Sequence, residues 1–167
     1  MKEIYGMKPW YPKPVGMLLI LGAVAACGPK LIADSPIEDT PANREIVGKV
    51  QQYRQAMEAR DPDALLKLVS RNYFENGSTT DDPGDDYGYD TLVEKVLPKL
   101  KNNVKKVQFD IVLKKVSYEG DRAFAEFEYF SKFQFVEGGE ERWVARNDFN
   151  RLEFIREDGT WKITAGL

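Results

Sequence analysis

The sequence predicts an α+β domain in which three helices precede a meander of antiparallel strands. Two observations carry that expectation. Apolar residues recur at three- and four-residue spacing as far as Leu100, then mostly at two-residue spacing. The second half is also punctuated by Glu119-Gly120-Asp121, Glu137-Gly138-Gly139 and Glu157-Asp158-Gly159, turn sequences that join neighbouring strands without a crossover. The 167 residues are enough for one ordinary domain.

A separate segment precedes the domain. Residues 1–16 hold Lys2, Lys8 and Lys13 against one acidic residue, Glu3, and Met17 to Ala26 is an apolar run. As a helix that run would be about 15 Å long, roughly half a bilayer. A basic flank, a short apolar stretch and small residues before a cleavage point read as an export signal rather than a membrane span. The basic flank is long and carries Trp10 among prolines, so Met1 and Met7 both remain open as the translation start.

Val24-Ala25-Ala26-Cys27-Gly28 resembles the bacterial lipobox, and Cys27 is the chain's only cysteine. The resemblance implies a signal peptide at 1–26, lipidation of the Cys27 sulfur (palmitate or a similar acyl chain) and acylation of the new N-terminus. Each buried CH₂ contributes about 0.8 kcal/mol, so several chains hold firmly where one holds marginally. The expected location is the cell envelope, with the membrane as partner through the lipid anchor. The absence of Asp at position 28 favours the periplasmic face of the outer membrane in a Gram-negative host. Residues 27–41, rich in Pro, Ser and acidic side chains, are expected to form the lipidated Cys and a flexible tether.

The domain is expected over 42–167. Thr40-Pro41 pairs a capping hydroxyl with proline at the first helical position, and Ile46, Val50, Tyr53 and Met57 then define one apolar face. Asp61-Pro62 repeats the signal, with Ala64, Leu65, Leu68 and Val69 turned inward. Asn72 to Ser78 suits a short strand, and Thr79 to Asp90 a polar loop. Thr91 with Glu94 fits a capping box for a helix carrying Leu92, Val93, Val96, Leu97 and Leu100, which Pro98 should kink or restart. Val107, Phe109, Ile111 and Leu113 alternate until Lys114-Lys115, where a bulge is expected. Ala123, Ala125, Phe127, Tyr129, Phe133 and Phe135 lie on one face of the next strand. Trp143 to Arg156 and Trp161 to Ala165 complete the meander.

Composition excludes several functions. There is no histidine, which removes the usual neutral-pH base and the commonest metal ligand. One cysteine allows neither an internal disulfide nor a cysteine metal cluster. The formal net charge of −3 becomes −5 once residues 1–27, with three Lys and one Glu, are set aside. No nucleic-acid partner is expected for so acidic a domain, and no cofactor is expected.

Tyr53, Ala56, Asp61, Asp63, Ala64 and Leu65, followed far downstream by Asp158-Gly159-Thr160-Trp161-Lys162-Ile163, are similar in order and spacing to the NTF2-like superfamily, which includes ketosteroid isomerase and the SnoaL-like proteins. The resemblance covers about residues 42–167. It implies a cone: a curved antiparallel sheet wrapping the first helix, with a pocket at the open end, and commonly a homodimer. It also places Tyr53 where the isomerase has an oxyanion donor. Gly77, after Asn76, falls where the isomerase has its carboxylate base, and the fold's dehydratases rely on His. Their chemistries therefore do not transfer.

The expected function is a non-catalytic small-ligand-binding or assembly module. Tyr53, Trp143, Arg146 and Asp148 are the candidate ligand-binding residues, since polar groups inside a curved sheet would orient a mainly apolar ligand. An enzymatic alternative pairs Tyr53 with Asp148 on a small apolar substrate. A third alternative is a structural partner of an envelope protein complex through the outer sheet face. Asp81, Asp82, Asp85 and Asp86 could gather around Ca²⁺, but their spacing is not that of an EF-hand, and solvated acidic loops are much commoner. No metal site is expected.

Overall fold

A computed structural model describes residues 28–77 and 83–167 of the chain. The signal segment 1–26, Cys27, Asp81 and Asp82 lie outside the described residues. The order is α1 (Pro41–Ala59), α2 (Pro62–Leu68), β1 (Phe74–Glu75), a 3₁₀ turn (Pro83–Asp85), β2 (Tyr87–Gly88), a third helical segment α3 (89–102), then β3 (Val104–Glu119), β4 (Arg122–Glu137), β5 (Glu140–Glu157) and β6 (Thr160–Ala165). The last four strands form one antiparallel sheet in sequential order, and β1 pairs with β2 apart from it.

Both cap signals operate. Thr40 Oγ1 accepts from the Asn43 amide at 3.1 Å, with Pro41 in the first turn. Asp61 Oδ1 accepts from the Asp63 and Ala64 amides at 3.0 Å each. These contacts satisfy backbone donors that a helix start leaves unpaired. Arg60 closes α1 in the left-handed region at φ 52°, and its guanidinium donates to the Val104 carbonyl at 2.5 Å, tying the end of α1 to the start of β3.

Two expectations are corrected. The third helix begins at Tyr89, with Gly88 at its cap; Thr91 is helical and caps nothing. Pro98 restarts the helix as expected: a helical stretch resumes at Leu97 with Pro98 in its first turn, after a π-turn over Leu92–Val96 in which Leu97 N–H reaches back five residues to the Leu92 carbonyl. The wider turn accommodates Pro98, which has no N–H for an α-helical bond and would crowd the carbonyl four residues before it. The remaining correction concerns the tether. Residues 28–40 fold back on themselves: Leu31 bridges Glu38, and Ile32 N–H donates to the Ile37 carbonyl at 2.8 Å. Ile37 is buried in the core. Its apolar area outweighs the Pro and Ser content that suggested a free linker, so the folded body starts well before residue 42.

The expected bulge is present. The β3–β4 register shifts between Leu113 and Lys115, so that Phe109 and Leu113 stay buried below the shift and Val116 is half-buried above it. The inner face of the sheet packs against α1: Ile46, Val50 and Tyr53 meet Phe109, Leu113, Phe127, Leu152 and Phe154 in one buried cluster. Tyr53 and Phe109 stack edge-to-face at 5.5 Å. Trp161 Nε1 donates to Glu45 at 3.1 Å, joining the last strand to the first helix.

Candidate functional site

Alternation along β5 decides which side chains face the core. Leu152 and Phe154 are fully buried opposite Ala125 and Ala123. The β4–β5 register runs without a shift, so Asn150, Asp148, Arg146 and Val144 share their face, opposite Phe127, Tyr129, Ser131 and Phe133. The odd-numbered residues point outward.

A cavity of about 610 Å³ lies between this face and the helices, within the range that takes a drug-sized molecule. Tyr53, Met57 and Leu65 line one side, and Leu92, Val96, Leu97 and Leu100 of α3 another. Phe109, Tyr129, Phe133, Phe135 and Val144 supply the sheet wall. The polar side chains in the lining beyond the two tyrosine hydroxyls are Lys99, Asn103, Ser131, Arg146 and Asn150. Asn150 is partly engaged, donating to the Gly166 carbonyl at 2.9 Å. Ser131 is fully buried, and its hydroxyl has no hydrogen-bond partner. Such a group is costly to desolvate, and native proteins pair nearly all of them.

The four candidate binding residues are divided by this geometry. Tyr53 and Arg146 line the cavity. Burial pushes the Tyr53 phenol well above its ordinary pKa, and Tyr129, Glu75 and Tyr87 add to the shift, so Tyr53 remains a protonated donor at physiological pH. Asp148 lies on the inner face opposite Tyr129 but is exposed and outside the cavity lining; its carboxylate accepts from the Phe149 amide at 2.8 Å. Trp143 lies on the outer face, 47% exposed, with the Lys132 ammonium 4.7 Å above its ring. Of the acidic loop, Asp86 accepts from Gly77 N–H at 3.1 Å. Asp85 packs so closely on Gly77 that a Cβ there would meet its carboxyl at 2.1 Å. No group of three or more metal-ligating side chains occurs among the described residues.

Sequence reading missed Ser131 and Glu75. Ser131 interrupts the aromatic stripe between Tyr129 and Phe133, and its parity alone would have placed it inside. Glu75, two residues before the position aligned with the isomerase base, accepts from Tyr73 Oη at 2.6 Å and from Gly166 N–H at 2.8 Å. Burial first, and then this carboxylate, push the Tyr73 phenol far up.

No protein-family model matches the sequence, nor does any curated protein. The fold, however, is shared with many solved structures. A candidate scytalone dehydratase from Novosphingobium aromaticivorans superposes with a TM-score of 0.63 at 12% identity, covering 75% of this chain and 80% of that one. A candidate aromatic ring hydroxylase from the same species gives 0.62 at 18% identity over 76% and 88%. An NTF2-like superfamily protein from Salmonella enterica gives 0.59 at 15% identity over 74% and 86%. The domain therefore has the NTF2-like fold, with an antiparallel sheet and three helices among its described residues.

Proposed function

We propose that this chain is a lipid-anchored cell-envelope protein whose NTF2-like cone binds a small, mainly apolar molecule without transforming it. The observation that carries the binding role is the 610 Å³ cavity with its predominantly apolar lining. The lipobox resemblance at Cys27 supports the anchor, and the absence of Asp at position 28 favours the periplasmic face of the outer membrane in a Gram-negative host. The absence of histidine and the position of Asp148 outside the cavity weigh against the pairing with Tyr53 that an enzyme would need.

Fluorescence of N-phenyl-1-naphthylamine, a neutral apolar probe, tests the binding role. The full chain should enhance it saturably, and Val144→Trp should abolish the enhancement, because Val144 lies at the partly exposed edge of the cavity. Equal enhancement by both proteins would place the probe elsewhere and contradict the reading.

The outer sheet face supports a second reading, an assembly surface for a second copy or an envelope protein. Phe149 is 71% exposed, and Phe130 and Val112 on the same face are also exposed. Monomers rarely leave such side chains clustered in water.

A further inference from the structure

The cavity lining is apolar in bulk but one-sided in charge. Among the described side chains that line it, Lys99 and Arg146 are cationic and none is acidic, in a domain whose overall charge is negative. Both cations are exposed, whereas Tyr53, Leu65, Leu92 and Phe109 are buried, so the charge gathers at the open end and the apolar surface at the closed end. Arg146 forms no ion pair with a described residue, although arginines elsewhere on the sheet do, Arg122 and Arg151 both with Glu153. Its nearest acidic neighbour on the same face, Asp148, turns its carboxylate to the Phe149 amide.

Ser131 is the independent observation. It stands directly opposite Arg146 across the β4–β5 ladder, a relation that puts the two Cβ atoms about 5 Å apart. Its hydroxyl, fully buried, lines the cavity and has no partner. A donor without an acceptor beside a guanidinium without a carboxylate is a site arranged for an anionic oxygen. Charge-assisted hydrogen bonds are the stronger kind.

We propose, resting on the binding role above, that the ligand is a carboxylate amphiphile. Its apolar body seats against Tyr53, Leu65 and Phe109, and its carboxylate is held by Arg146 and the Ser131 hydroxyl, with Lys99 contributing from the helical wall. Calorimetric titration of the full chain with dodecanoate, dodecanol and dodecyltrimethylammonium, each below its micellar concentration, tests this. Dodecanoate should bind about tenfold or more tighter than dodecanol, the equivalent of ~1.4 kcal/mol, and the cation weakest. Arg146→Gln should remove most of that preference while dodecanol still binds, which also shows that the variant is folded. Lys99→Gln should reduce the preference less. Equal affinity for dodecanoate and dodecanol would overturn the anionic site and leave the binding role standing, as would a preference that survives Arg146→Gln. Failure of all three ligands to bind would overturn both.

Discussion

Replacing Ser131 by alanine should stabilise the protein, the reverse of the usual result of trimming a fully buried side chain. The hydroxyl is buried and unpartnered, so the folded state loses its hydration and gains no hydrogen bond in return. Removing one such oxygen relieves a desolvation penalty of about 1–3 kcal/mol, while the small volume lost gives back part of it. A net gain of about 1 kcal/mol is expected, or a rise in melting temperature of about 2–4 °C for a domain of this size. Urea unfolding of the full chain followed by tryptophan fluorescence would show a higher midpoint at unchanged slope. The same variant should bind dodecanoate more weakly, so that stability and affinity move in opposite directions. A Ser131→Ala variant less stable than the parent would mean that the hydroxyl is satisfied in solution, and the argument for an anionic oxygen beside it would fall.

Three further outcomes follow from particular contacts. Asp61→Ala should destabilise by about 1 kcal/mol in urea unfolding, because it removes the acceptor for two amide donors at the start of α2. Asp39 is held at a pKa of about 2 by hydrogen bonds and charge from Arg44 and then Lys30; since its ordinary value is 3.8, the stability it contributes is complete above about pH 4 and disappears as the pH falls through 2. Asp39→Asn should therefore lower the urea midpoint at pH 7, and the difference should shrink towards zero at the acid end; a difference undiminished at pH 2 would contradict the assignment. Phe149→Asp should leave unfolding within about 0.5 kcal/mol of the parent, as expected for an exposed site. If the outer face is an assembly surface, that substitution should also turn a dimer into a monomer by analytical ultracentrifugation.

The fold was largely legible in the sequence because its signals are local. Thr40-Pro41 and Asp61-Pro62 announce caps that act as caps. The slip at Lys114-Lys115 announces a bulge, and the acidic–Gly triplets announce the hairpins. What failed depended on contacts remote in sequence. Nothing near Ile37 reveals that it enters the core, since its partners lie on elements formed later in the chain. The π-turn before Pro98 is one of several ways to accommodate a proline, and local sequence does not select among them. The site was half legible. Tyr53 follows from helical periodicity and Arg146 from its polarity within a strand. Asp148 shares the inner face of Arg146 yet lies outside the cavity lining, and Trp143 could be excluded only once Leu152 and Phe154 fixed the parity of β5. Ser131 was hidden among aromatics because a hydroxyl in an apolar stripe ordinarily reads as a break, although its parity places it inside.

N-phenyl-1-naphthylamine titration of the parent chain beside its Val144→Trp variant is the most direct test of ligand binding in the cavity. Saturable enhancement in the parent, its loss in the variant and its displacement by dodecanoate are the predicted results. Enhancement unchanged by the tryptophan, or none in either protein, would contradict a binding role for the cavity.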